Sequence, residues 1–267
     1  MENLLCLRNA FGGWLEKMNV VPKSPVVRMK LAFGRLYSKM FSDGKAAGVA
    51  ISFDDAHVDE WYCLKDLFGR YGARVTFFVS NFDLLPGESI EKLKMLRDDG
   101  HEIAFHGLRH LSAGKFVQEH SLDEYLETEI FPGIDAMNKA GFSPMTFSYP
   151  YGVRAPHIDA ALLKYFRHVR GVACTDNKRR LTDIGQIYCG HEGRLVFAAG
   201  IDNVYGNSVE EIRAAMKKAL EKGKTLLLFA HRTSSEPGDY CTPVARIESV
   251  LEYASGIGLK FYTIKDI

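Results

Sequence analysis

Four short segments carry side chains suited to acid–base and metal chemistry. Asp54 and Asp55 end the apolar run AAGVAISF, His106 and His110 lie in HGLRH, SYPYG runs from Ser148 to Gly152, and LLLFAH ends at His231. Asp55, His106 and His110 offer one carboxylate and two imidazoles, an open three-ligand set that suits catalytic zinc and leaves a position for water. Such a metal lowers the pKa of its water to about 7 and polarises a carbonyl as a Lewis acid. The four-residue spacing in HGLRH lets both rings face one point if the segment makes a helical turn. Adjacent carboxylates on an extended strand point to opposite sides, but a bend after the strand can direct one towards a metal and the other towards its water. Each pattern alone has an ordinary explanation, since paired Asp residues form turns and histidines pack in cores. Together, a base, an acid and three ligands point to a metal-assisted hydrolase. Two histidines and a carboxylate also form the facial triad of non-haem iron oxygenases, a second class of reading.

The elements that must position these groups follow from apolar periodicity. Strands are predicted near 46–53, 73–79, 101–105, 145–149, 168–174, 195–200, 225–230 and 260–264, several continuously apolar, as expected when both faces are buried. Amphipathic helices are predicted near 58–71, 88–99, 121–140, 156–167, 207–222 and 243–255. Ser121 with Glu124 and Ser208 with Glu211 have capping-box spacing, and Thr242-Pro243 reads as a cap before proline. Gly100, Gly141, Gly223 and Gly256 follow predicted last turns, and Pro132-Gly133 is expected to kink or divide the third helix. Repeated strand–helix alternation implies a parallel sheet, and seven to eight parallel strands in about 220 residues suit a closed or nearly closed, TIM-like α/β barrel. An open doubly wound sheet is the rival, weakened by the lack of a G-x-G-x-x-G after the first strand. In such barrels active groups come from strand C-terminal ends, and Asp54, Asp55, His106, Tyr151 and His231 all fall there.

The 267 residues, 46% hydrophobic and 25% charged, suit one large domain. Net charge is +1, but residues 1–45 hold eight Lys/Arg against three Asp/Glu, leaving 26 against 30 for the remainder. A mildly acidic body argues against nucleic acid as the partner. Residues 1–45 read as an extension, with Met29, Phe33, Leu36 and Met40 at helical spacing, either covering one barrel end or making a basic amphipathic contact with a membrane. Residues 46–267 read as the catalytic barrel. Five widely spaced cysteines without C-x-x-C suggest free thiols in a reducing compartment. The N-terminal segment lacks the pattern of a secretory signal, and no apolar run reaches about 18 residues, so with Met1 as the natural start a cytoplasmic location is expected.

The combination resembles the polysaccharide deacetylase family, metal-dependent enzymes that remove acetyl groups from chitin-like, peptidoglycan and related sugars. SFDD is similar to the family's T-F-D-D, HGLRH to H-[ST]-x-x-H, YPYG to its aromatic P-Y-G segment and LFAH to L-x-x-H, in family order over about residues 46–264. The resemblance implies a distorted (β/α) barrel and a divalent metal, zinc foremost, with cobalt or nickel as alternatives. It implies Asp55, His106 and His110 as ligands, Asp54 as general base and His231 as general acid. It further implies that the Tyr151 N–H, with Pro150 beside it, serves the oxyanion and that Leu228 lines the acetyl-methyl pocket. Three positions depart from the pattern. Ser148 stands where the family often has the arginine that steers the base, with Arg154 a candidate substitute. The Asp-Trp pair that orients the acidic histidine is missing, and Asp202 is its candidate stand-in. Gly107 replaces the hydroxyl residue between the two histidines. The expected substrate is an N-acetylated sugar, oligosaccharide or polysaccharide, with Trp61, Tyr149 and Tyr151 as rim aromatics for sugar rings. A non-catalytic glycan-binding relative and a deacylase of a lipid-linked sugar or non-sugar amide are the alternatives.

Overall fold

The computed structural model describes residues 45–173, 179–190, 193–234 and 238–267. Of the extension expected over residues 1–45, only Lys45 lies among them, so its helix and membrane contact fall outside the described residues. Residues 46–267 form one compact unit.

All eight predicted strands are present, as β1 (Gly48–Asp55), β2 (Thr76–Val79), β3 (Glu102–Phe105), β4 (Thr146–Ser148), β5 (His168–Val172), β7 (Leu195–Gly200), β8 (Thr225–Ala230) and β11 (Lys260–Tyr262); three unpredicted two-residue strands are β6 (Tyr188–Cys189), β9 (Arg232–Thr233) and β10 (Cys241–Thr242). Strands β1, β2, β3, β4, β5, β7 and β8 pair in parallel, and β8 returns to β1, so the sheet closes into a seven-stranded barrel. The eighth predicted strand is a side-piece: β11 pairs with Gly48–Ala50 at the start of β1, while β2 takes Ser52–Asp55 further along. Strand β6 similarly runs antiparallel to the first residues of β8.

Side-chain alternation sorts the core into two layers. Val49, Ile51 and Phe53 of β1 join the large cluster shared with the helices, whereas Ala50 lies with Phe78, Ala104, Ala198, Leu227 and Phe229 in the smaller interior cluster. The polar residues Ser52 and Asp54 continue the Ala50 face upward, so the barrel interior turns from apolar to ionic towards the C-terminal rim.

The helices follow their capping signals with informative exceptions. Ser208 and Glu211 form the expected reciprocal capping box on helix Val209–Lys222, which ends at left-handed Gly223. The predicted 58–71 helix breaks into Val58–Tyr62 and Lys65–Tyr71. The 121–140 helix is divided as expected: Leu122–Tyr125 passes into a π turn, Leu126–Ile130, before Phe131–Lys139 resumes as α-helix with Pro132 in its first turn. Helix Val244–Gly256 includes Gly256, and the left-handed residue beyond it is Gly258. No helix among the described residues is long and apolar enough to cross a membrane.

Candidate metal centre and its acid–base groups

Strand ends deliver the expected ligands to one point. Asp55 is the last residue of β1, His106 follows β3 directly, and His110 arrives by way of a tight loop. His110 Nε2 stands 3.2 Å from Asp55 Oδ1 and 3.2 Å from His106 Nε2, and His106 Nε2 stands 3.6 Å from Asp55 Oδ1. Tetrahedral donors about 2.0–2.1 Å from one ion lie about 3.4 Å apart, so this near-equilateral triangle fits a divalent metal. His106 Nδ1 donates to the Ser148 carbonyl at 2.9 Å, which leaves the Nε2 lone pair facing the triangle. Burial pushes the His106 imidazole down to about 4, against the pull of Asp54 and Asp55, so it is neutral and ligand-competent at neutral pH. Burial alone would raise the Asp55 carboxyl. The contacts with His110 and His57 and the charges of His106 and His231 outweigh it and hold Asp55 well below the usual carboxylate range.

The backbone is bent into uncommon geometry at this rim. Asp55 (φ 85°), His110 (φ 57°) and Tyr151 (φ 58°) are three of the four non-glycine residues with positive φ among those described. The turn at Asp55 resolves the alternation problem, because it aims Asp55 at the histidines while Asp54 stays on the interior face. Left-handed conformations of this kind cost about 1–3 kcal/mol each and persist where surrounding structure enforces them.

Asp54 is held by an arginine, though from a different strand than expected. Arg154 donates to Asp159 and lies over Phe197, so it is not the substitute steering group. The guanidinium at Asp54 belongs to Arg170 on β5, whose Nη2 donates to both carboxylate oxygens. Arg170 is fully buried and crosses the barrel interior, its charge 5.3 Å from the Phe78 ring centre and 4.7 Å from that of Phe229. Its Nε and Nη1 make no hydrogen bond to a described residue, so Asp54 is its polar anchor. The signal in the sequence was an arginine in the middle of a short strand, HVRGV, at the parity that faces inward. Ser148, its register partner on β4, contributes a backbone carbonyl to His106 in place of a charged side chain.

His231 follows β8, and Asp202, two residues past β7, is its partner. The Nδ1–H donates to Asp202 Oδ2 at 2.6 Å and the His231 N–H to Oδ1 at 3.2 Å. Thr242 donates its hydroxyl to Asp202 Oδ1 at 2.7 Å, so it serves this carboxylate and Pro243 takes the helix cap position instead. Burial lowers the His231 imidazole, but the Asp202 hydrogen bond and the charges of Asp54, Asp202 and Asp55 outweigh it, and the net shift is upward.

The expected rim residues divide. Trp61 is fully buried and donates Nε1–H to the His231 carbonyl at 2.9 Å, bracing the strand end rather than offering a face to ligand. Tyr149 is buried too, its hydroxyl donating to Asp159 at 2.8 Å. Tyr151 is 71% exposed and Tyr240, which the sequence did not single out, is 57% exposed. Their ring centres lie 4.6 Å from His110 and 5.3 Å from His231. Pro150 is buried beside Tyr151 in a short 3-10 turn. Leu228 does not face the site. It belongs to the helix-facing cluster, since β8 alternates, and Phe229 is the residue whose ring comes within 5.6 Å of His231.

A closed parallel α/β barrel with a two-histidine, one-aspartate cluster and flanking Asp–Arg and His–Asp pairs on its C-terminal rim defines the class as a barrel with a candidate metallohydrolase site. Residues 42–166, a little under half of the chain, match the family model described as polysaccharide deacetylase. Over 106 residues it is 34% identical to a peptidoglycan-N-acetylglucosamine deacetylase of Bacillus cereus, an alignment covering 39% of this chain and 46% of that protein. The chain thus spans about half the length of the curated relative. Among solved structures, the chitin deacetylase of Colletotrichum lindemuthianum shares the fold with a TM-score of 0.57 at 15% identity, covering 83% of this chain and 87% of that one. A family 4 carbohydrate esterase from Streptomyces lividans does so with a TM-score of 0.51 at 18% identity, covering 80% and 91%. Arg170, Asp202 and His231 all lie beyond the stretch matched by the family model, so their placement rests on the geometry above.

Proposed function

We propose that this chain is a metal-dependent deacetylase that removes an acetyl group, in the first instance an N-acetyl group, from a sugar or polysaccharide. The observation that carries the reading is the donor triangle of Asp55, His106 and His110 with Asp54 Oδ2 only 3.9 Å from His106 Nε2. A divalent cation bound to these three residues, zinc foremost and cobalt or nickel as alternatives, would acidify water and polarise the acetyl carbonyl. Asp54, oriented by Arg170, accepts a proton from the attacking water. The Tyr151 N–H donates to the developing oxyanion. His231, its Nδ1–H fixed on Asp202, presents Nε2 and protonates the departing nitrogen. The exposed rings of Tyr151 and Tyr240, each packed on a site histidine, offer apolar faces with polar tips, as sugar binding requires. The peptidoglycan and chitin deacetylases among its relatives support N-acetylglucosamine oligomers as the first substrates to try.

The direct test is acetate release from a panel of N-acetylglucosamine oligomers and peptidoglycan fragments. Release that stops on chelation and returns with zinc is expected. Binding of the same oligomers without turnover would instead make the chain a glycan-binding relative, and oxygen uptake with a keto acid would replace hydrolysis by redox chemistry.

Asp202→Asn tests the acid. Removing the carboxylate's charge takes away an interaction that raises the His231 pKa, so the alkaline limb of the kcat/KM profile should move to lower pH. At pH 8 kcat/KM should fall by about tenfold or more, the equivalent of a lost charged hydrogen bond of about 1.5–3 kcal/mol. An unshifted limb would remove His231 from the role of acid.

A further inference from the structure

Between the two histidine ligands the chain makes a loop with no regular structure, and what fixes it comes from outside. Glu129 is fully buried, although its neighbours Glu127 and Thr128 are exposed. Its Oε2 accepts the Arg109 N–H at 2.9 Å and its Oε1 accepts the Leu111 N–H at 2.9 Å. Those two amides bracket His110, the residue held at φ 57°. One carboxylate therefore grips the backbone on both sides of a ligand.

Two glycines record how closely the carboxylate and its helix approach the loop and strand they serve. A Cβ on Gly107, which has φ +86°, would meet Glu129 Oε1 at 2.5 Å. A Cβ on Gly133 would meet the Phe105 ring at 2.2 Å, so the helix carrying Glu129 packs directly on the strand that delivers His106. Glu129 itself sits in the π turn Leu126–Ile130. A π turn inserts extra backbone into a helix and rotates the residues beyond it, and here it accompanies a glutamate turned into the core. On the exposed side, the Arg109 guanidinium pairs with both Asp83 oxygens, at 2.5 and 2.6 Å, and closes the loop from above.

We propose that Glu129 is the positioning residue of the metal centre: by accepting the N–H groups of Arg109 and Leu111 it holds His110 in the left-handed conformation that turns its Nε2 towards Asp55 and His106. Gly107 is the matching vacancy in the loop, and the pair acts as one device. The proposal rests on the metal reading of Asp55, His106 and His110.

Glu129→Gln keeps the shape and one acceptor but turns an NH2 group against the second N–H. Zinc affinity of the purified full chain, measured by competition with a chromophoric chelator, should weaken by about 10- to 100-fold, the usual effect of losing a group that orients a ligand. Saturating zinc should restore kcat, which a general loss of folding would not allow. Gly107→Ala reaches the same contact without altering a buried charge and supplies the readout if Glu129→Gln does not fold. The double variant should be no weaker than the worse single variant, because both disturb one contact. A zinc affinity within twofold of the unaltered chain in either folded variant would overturn the proposal. If the unaltered chain binds no zinc, the metal reading itself fails. Amide exchange at Arg109 and Leu111 then decides the Glu129 clamp independently: faster exchange in Glu129→Gln supports it and unchanged exchange removes it.

Discussion

Asp54→Asn is expected to lower kcat on an acetylated oligosaccharide by about 10²–10⁴-fold, the range for removal of a general base, while zinc stoichiometry stays at that of the unaltered chain. The separation of the two readouts follows from the turn at Asp55. Asp55 leaves the strand at φ 85° to face the histidines, whereas Asp54 remains on the interior face and is 2% exposed. Amide and carboxylate have the same shape and one acceptor for Arg170 remains, but the buried guanidinium loses its countercharge, so stability should fall by about 3–5 kcal/mol and folding is checked alongside activity. Loss of metal together with activity would mean that Asp54 is a ligand, and retention of full kcat would remove it as base.

Arg170→Met is expected to cost about 3–5 kcal/mol of stability, as when one partner of a buried ion pair is removed, and to reduce kcat with little change in KM. The guanidinium is wholly buried, with aromatic rings beside it and Asp54 as its hydrogen-bonded partner. Methionine fills the same slot but leaves the Asp54 carboxylate in the barrel without its countercharge. Asp54→Asn combined with Arg170→Met should recover much of the lost stability, because the charge left behind is gone. Urea unfolding of the four proteins gives the coupling directly. Additive effects would show that the two residues do not stabilise one another, and the account of how Asp54 is aimed would fall.

Local pattern carried most of the barrel. Apolar runs such as TLLLFA and GVAISF are buried on both faces, and that burial produces the continuous hydrophobic stretches from which a parallel sheet is read. The closure was less legible. Strand β11 was expected among the barrel strands, yet it pairs only with the first three residues of β1, since β2 occupies the same edge further along. Strands β9 and β10 have two residues each, too few for any periodicity.

The candidate ligand and acid–base residues were legible because chemistry restricts such roles to a few residue types at strand ends. Of their supports, only Asp202 was. Ser148 and Arg154 drew attention by lying near SYPYG in sequence, but the arginine that reaches Asp54 is 116 residues away, and the carboxylate behind the HGLRH loop belongs to a neighbouring helix. Leu228 misled for a simpler reason: an odd offset from His231 along a strand places the two on opposite faces.

The sequence by itself determined a parallel α/β barrel and the identities of Asp54, Asp55, His106, His110 and His231, because side-chain period and chemical type are local properties. Tertiary structure alone decided that Arg170 serves Asp54, that Thr242 braces the Asp202 carboxylate the sequence had offered for His231, and that Glu129 serves His110. Those choices depend on which buried charge or N–H group lies within hydrogen-bond reach once the barrel has closed, and no spacing along the chain encodes that distance.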